Sequence, residues 1–276
     1  MNKAKVLFVS QKIEPYIVDG EMSHLSRYLP QSIQERGKEI RTFMPKFGCI
    51  NERRYQLHEV IRLSGMNLIL DDSDHPLIIK VASIQPARMQ VYFIDNEEYF
   101  QRKTIFNDEK GKFHSDNDER MAFYCRGVIE TVKKLGWAPD IIHCNGWMTS
   151  LIPYYLKNVY KDEPVFNNSR VVFSVYDDGF SETMSKNFTQ KLGFKDDVLD
   201  KDLECLNGGT YADINKFAIN LSDAVIMGSS KVDSSIKKHA QATGKPILEY
   251  HGEEGYEDAY SNFYDELLLA EPAFAG

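Results

Sequence analysis

Residues Asp140–Ser150 read DIIHCNGWMTS, a short apolar run that passes without warning into a polar, glycine-containing loop. An apolar run this brief is too short for a helix, which needs roughly ten to twelve residues, and it predicts a buried strand. The loop at its carboxyl end is then in the place where open α/β sheets bind ligands. A catalytic loop is expected to carry an acid, a base or a charge, and this one offers Asn145, Gly146 and Met148 instead. Similar runs recur along the chain: KVLFVS from Lys5, EIRTFM from Glu39, RVVFSV from Arg170 and DAVIMGS from Asp223. Helical patterns separate them, so the sequence predicts βαβ units and an α/β fold with a doubly wound, mainly parallel sheet buried on both faces.

The clearest helix follows Asp116. Met121, Phe123, Tyr124, Val128, Ile129, Val132 and Leu135 recur at helical spacing, with Asn117 as N-cap and Gly136 as the stop. In HPLIIKVASIQPARMQVYFID two apolar runs flank Gln85–Arg88, which predicts a small antiparallel hairpin inserted beside the sheet. The segment 96–115 is polar and aromatic and is expected to be mobile, having little apolar surface to bury. Near the end, Tyr256, Tyr260, Phe263, Tyr264 and Leu267 share one face of an acidic amphipathic helix, followed by a loose tail. That stripe either packs on the sheet or meets another molecule. The organisation expected is one domain over 1–250 with an acidic helix and tail over 251–276.

Composition removes several function classes. The chain has 276 residues, 42% hydrophobic and 27% charged, with a formal net charge of −8. That charge opposes a phosphate backbone, so nucleic acid is not an expected partner. No apolar run reaches the roughly 18 residues of a membrane span, and no secretory leader is evident; a cytoplasmic protein is expected. Cys49, Cys125, Cys144 and Cys205 are scattered and form no C-x-x-C pair, so neither a zinc ribbon nor a disulfide framework is signalled. G-x-S-x-G, H-E-x-x-H, Walker and G-x-G-x-x-G motifs are absent from the sequence. Neither a cofactor nor a bound metal is expected.

Four longer stretches carry a resemblance. KVLFVSQKIEPYIVDGEMSHLSRYLP, VYFIDNEEYFQRK, DNDERMAFYCRGVIETVKKLGWAPDIIHCNGWMTSLIPYYLK and YADINKFAINLSDAVIMGSSKV resemble segments of the N-terminal domain of bacterial glycogen and plant starch synthases. The third aligns, without a gap, to that family's D-N-x-x-R-F and L-G-W-x-P-D-I-[IV]-H-x-H-D-W-H-T. The resemblance implies one Rossmann-like half of a GT-B glycosyltransferase that extends α-1,4-glucan from ADP-glucose. In the family the second half supplies most ADP-glucose contacts, and the chain ends before any counterpart of them. The expectation is a domain incomplete or inactive alone, with ADP-glucose or α-glucan as weak ligands and a separately encoded protein as a further partner.

The resemblance also assigns positions. The family's Lys-Thr-Gly-Gly run, which suits an anion at a helix N-terminus, falls on Val18, Asp19, Gly20 and Glu21, and its later Asp on His24. Two carboxylates at a diphosphate site cost about 1 kcal/mol in water and about 4 at an effective dielectric of 20 for a 4 Å pair, so donor binding is expected to fail. Asp19 and Glu21 either favour the helix start through its dipole or form a cation or amine site. In the opening loop His143 and Trp147 are kept, while Asn145, Gly146 and Met148 replace His, Asp and His. A thioether cannot donate the hydrogen bond that the last imidazole gives the transferred sugar. Val18, His24 and Met148 are therefore degenerate catalytic positions, the mark of a pseudoenzyme. Asp116 and Asn117 match the family's D-N pair, and Asp116 is either a glucan contact or a helix cap. Asp177 and Asp178 either hold a divalent ion or solvate a strand end; Cys144 is either a nucleophile or a buried structural thiol. The candidate binding set is Asp19, Gly20, Glu21, Asp116, Asn117, His143, Asn145, Trp147 and Asp177. The alternative function is a non-catalytic module that binds glucan or a regulatory partner through the old cleft.

Overall fold

The computed structural model describes residues 3–70, 73–192, 203, 205–206, 208–252 and 254–270. The strands are β1 (Lys5–Ser10), β2 (Glu39–Pro45), β3 (His58–Glu59), β4 (Met66–Leu70), β5 (Ser73–Ile84), β6 (Met89–Asp95), β7 (Ile141–Asn145), β8 (Arg170–Val175), β9 (Ala224–Met227) and β10 (Ile247–Leu248). They form one sheet in the order β10-β9-β8-β7-β1-β2-β6-β5-β3, with β4 paired to β5. The five strands expected from their apolar runs are the central ones, and β1 pairs in parallel with both β2 and β7. Their period-2 side chains supply two cores. Val6, Phe8 and Ile141 face one side of the sheet, and Leu7, Val9, Ile142 and Cys144 the other.

The longer helices are α1 (Gly20–Glu35), α2 (Asn117–Leu135), α3 (Tyr211–Leu221), α4 (Ser234–Ala242) and α5 (Tyr256–Leu269). Helix α2 ends as expected at Gly136, whose φ of 60° is the left-handed conformation that glycine adopts without steric cost. Its cap differs from expectation. Asp116, not Asn117, holds the N-cap position, and its side chain makes no capping bond because it is paired with Arg102. Helix α5 lays Tyr256, Tyr260, Phe263, Tyr264 and Leu267 on Val6, Phe8, Leu29 and Ile141, so the aromatic stripe packs on the sheet. The loose tail expected beyond it lies outside the described residues.

Two expectations change. The β5–β6 hairpin exists, running antiparallel from Ile78↔Asp95 to Ile84↔Met89, but β6 also pairs in parallel with β2 and is therefore an integral strand of the sheet. The segment 96–115 is not short of apolar surface: Tyr99 and Phe100 are fully buried and Phe113 nearly so. Asn96 caps the turn Glu97–Phe100 by accepting from the Glu98 and Tyr99 amides. The buried Arg120 guanidinium then holds the segment through the carbonyls of Tyr99 (2.8 Å) and Ile105 (2.6 Å). Among the described residues no helix is long and apolar enough to cross a membrane.

Candidate functional site

Chain direction locates the site. From β1 the chain winds to β2 on one side, while β7, β8, β9 and β10 build outward on the other, so the order reverses between β1 and β7. A crevice opens at the carboxyl ends of strands at such a point. Here it is a cleft of about 950 Å³, floored by Gln11 and Lys12 after β1, Trp147 after β7 and Asp178 after β8.

One wall is aromatic. The Trp147 ring centroid is 4.9 Å from that of Phe106 and 5.1 Å from that of Phe180, and Phe180 stacks on Phe113 at 4.7 Å. Offset and tilted contacts of this kind rigidify a surface as well as bury it. Polar groups adjoin the aromatic ones. Lys12 Nζ is paired with the Asp19 carboxylate and lies 5.5 Å from the Phe106 centroid. Asp178 accepts from Gln11 Nε2 at 2.9 Å and from the Tyr211 hydroxyl at 2.7 Å. Burial raises the Asp178 pKa, and the Tyr211 hydrogen bond, the Lys12 charge and the Gln11 hydrogen bond act against that rise. A smaller adjoining hollow of about 360 Å³ shares Lys12, Asp19 and Asp178 and adds Gly20, Glu21 and Asp177.

The candidate residues divide sharply. Asp19 and Trp147 line the main cleft, and Gly20, Glu21 and Asp177 the adjoining hollow. Asp19 occupies the N-cap position of α1 without a side-chain capping bond, since Lys12 holds its carboxylate. Glu21 accepts from the Tyr250 hydroxyl at 2.5 Å. The two carboxylates expected to repel a diphosphate are therefore not a bare pair: one is offset by Lys12 and the other is engaged by Tyr250. Val18 points to solvent and is 75% exposed. His24 lies outside the main cleft, 3.6 Å from Glu14, with its ring 4.4 Å from that of Tyr28.

His143, Asn145 and Met148 are buried and lie off the lining of the main cleft. His143 is fully buried on the face under α5, with Nε2 2.6 Å from Ser174 Oγ and Nδ1 2.7 Å from the Tyr264 hydroxyl. Burial lowers its pKa from 6.5 to about 3, so the ring is neutral. The alternation of strand side chains sends His143 away from the ligand side of β7. Asn145 is buried and accepts from the Tyr176 hydroxyl at 2.8 Å. Met148 packs its side chain in the core and presents only its amide, which donates to Gln11 Oε1 at 3.2 Å. Cys144 is buried too, and burial pushes its thiol pKa up, which fits the structural reading and not the nucleophile.

Asp116 and Asn117 lie off the lining of the main cleft as well. Burial alone would raise the Asp116 pKa, but the Arg102 bridge outweighs it and holds the carboxylate below its usual range. Asn117 is buried, donates to the Phe106 carbonyl at 2.9 Å and accepts from Arg120 at 2.6 Å. The pair braces the segment that carries Phe106. Among the described residues no group of three or more His, Cys, Asp or Glu side chains is arranged to hold a metal ion.

Sequence reasoning passed over Gln11, Lys12, Phe106, Phe113 and Phe180. The rule that singled out the loop after β7 also applies to the residues directly after β1, where Gln11 and Lys12 stand. Phe106 and Phe113 share one segment, and the fold brings Phe180 to them.

Comparisons with known proteins bear on the family and the fold. The family model described as starch synthase catalytic domain matches residues 5–250. The glycogen synthase of Chlorobium luteolum is 39% identical over 173 residues, covering 62% of this chain and 35% of that protein. That of Chlorobaculum tepidum is 38% identical over 173 residues, covering 62% of this chain and 36% of that protein. The matched region is thus little more than a third of the length of these relatives. Among solved structures, the catalytic domain of starch synthase IV from Arabidopsis thaliana, bound to ADP and acarbose, has a TM-score of 0.72 at 18% identity. That match covers 90% of this chain and 51% of that one. The fold is one half-domain of the GT-B architecture.

Proposed function

This chain belongs to the starch synthase catalytic domain family, and from that premise we propose that its cleft seats α-1,4-glucan while transfer from ADP-glucose has been lost. The observation that carries the reading is that one cleft is lined both by an aromatic cluster, Phe106, Phe113, Trp147 and Phe180, and by the polar groups Lys12, Asp19 and Asp178 beside it. A pyranose has an apolar C–H face and a rim of hydroxyls, and it suits such a cleft better than an isolated anion does. On the donor side, the positions matching the family's Lys-Thr-Gly-Gly run read Val18, Asp19, Gly20 and Glu21. The exposed Val18 offers no charge there, and Lys12 is already paired. The place of the last imidazole is taken by Met148, whose side chain is in the core.

Isothermal titration with maltoheptaose, ADP and ADP-glucose tests binding, and incorporation of labelled glucose into glycogen tests transfer. Saturable maltoheptaose binding without incorporation is expected. Phe180→Ala should weaken that binding by about 2- to 10-fold, the worth of one aromatic contact. Incorporation of label from ADP-glucose would overturn the loss of transfer, and absence of maltoheptaose binding would overturn the glucan reading.

A further inference from the structure

We infer that Asp178 is the carboxylate that reads the hydroxyls of a bound glucan, and that Gln11 is the positioning residue that aims it. The inference rests on the glucan reading and names the groups that set its specificity. An ionised carboxylate has about four acceptor sites. At Asp178 the protein fills one on each oxygen, from Gln11 Nε2 at 2.9 Å and Tyr211 Oη at 2.7 Å, in a side chain that lines the cleft. The remaining acceptor capacity suits the O–H donors of a sugar opposite the Trp147 and Phe180 rings.

Gln11 has no freedom to serve otherwise. It is fully buried, and both ends of its amide are used: Oε1 accepts from the Met148 amide at 3.2 Å while Nε2 donates to Asp178. Its backbone N–H donates to the Asn145 carbonyl at 3.2 Å. One side chain therefore ties the end of β1 to the turn that carries Trp147 and to the loop that carries Asp178. Gly146 has φ +87° and fits there because a Cβ would come within 2.7 Å of Gln11 Oε1. The charged and titratable groups around Asp178 are Lys12 and Asp19 before α1, Tyr176 and Asp177 on its own loop, Tyr211 on α3, Cys49, Lys103 and Glu182 in the cleft wall, and Lys231 in the adjoining hollow.

Two variants test the inference by maltoheptaose titration between pH 5 and 8, with thermal unfolding as the folding control. Asp178→Asn removes the charge with little change of shape and should lower affinity by about tenfold or more, the worth of a charge-assisted hydrogen bond. Gln11→Glu keeps an acceptor for the Met148 amide but sets a second carboxyl against Asp178, and such a pair shares one proton. Its affinity should fall as pH rises, more steeply than in the unaltered protein. A merely structural glutamine would produce no such pH slope. Wild-type-like affinity in Asp178→Asn overturns the role of Asp178, and a wild-type-like pH profile in Gln11→Glu overturns the role of Gln11. Absence of binding by the unaltered protein instead overturns the glucan reading and this inference with it.

Discussion

Replacing His143 by glutamine keeps hydrogen-bonding capacity toward Ser174 and Tyr264 but removes a group whose ordinary pKa lies near neutrality. The imidazole is fully buried, and that burial lowers its pKa from 6.5 to about 3. Between these values the unfolded chain binds a proton that the folded protein refuses, so stability must fall as pH falls. With 1.36 kcal/mol per pKa unit, going from pH 8 to pH 5 removes about 2 kcal/mol, and the loss grows toward pH 3. For a domain of this size that is on the order of 4–8 °C in unfolding temperature. The assay is urea unfolding of both proteins at pH 8 and pH 5. Subtracting the glutamine variant from the unaltered protein cancels the carboxylates common to both, and the remainder should be about 2 kcal/mol. An equal loss in the two proteins would refute a neutral imidazole sealed beneath α5 and would return His143 to the list of cleft residues.

Gly146→Ala should destabilise the protein by about 1–3 kcal/mol in urea unfolding. Its Cβ would sit 2.7 Å from both Gln11 Oε1 and Met22 Cε in a backbone of positive φ, and the shift should also appear in Trp147 fluorescence. Gly48→Ala should weaken maltoheptaose binding at least as much as it destabilises the fold, as titration and unfolding together would show. A Cβ there would meet the Gln101 and Arg102 carbonyls at 2.1 and 2.5 Å, which forces the segment carrying Phe106 away from Trp147.

The central strands could be read from sequence because each is a β-branched run whose alternate residues feed two cores, as Val6 and Leu7 do. The hairpin was legible as a pairing of neighbours, but not its parallel seam with β2, because Thr42↔Val91 is a long-range choice that no local pattern encodes. At the site, strand ends gave the location and the wrong orientation. His143 and Met148 lie in the right loop, yet the pleat turns one beneath α5 and packing takes the other into the core. Lys12 was missed as the partner of Asp19 because the ion pair forms across a loop without regular periodicity. Phe106 and Phe113 belong to one irregular segment, and nothing local signals that the fold brings it against Trp147 and Phe180, which lie far along the chain.

The hydrogen bond between Tyr264 and His143 joins residues 121 positions apart. During synthesis at roughly 5–20 residues per second, β7 emerges several seconds or more before its cover. In that interval Phe8, Ile141 and Val172 have Leu29 and Ile33 of α1 beside them but lack the tyrosines of α5 that complete their cover. The polypeptide thus passes through a period in which a holdase would find its target on the face of the sheet that α5 later covers.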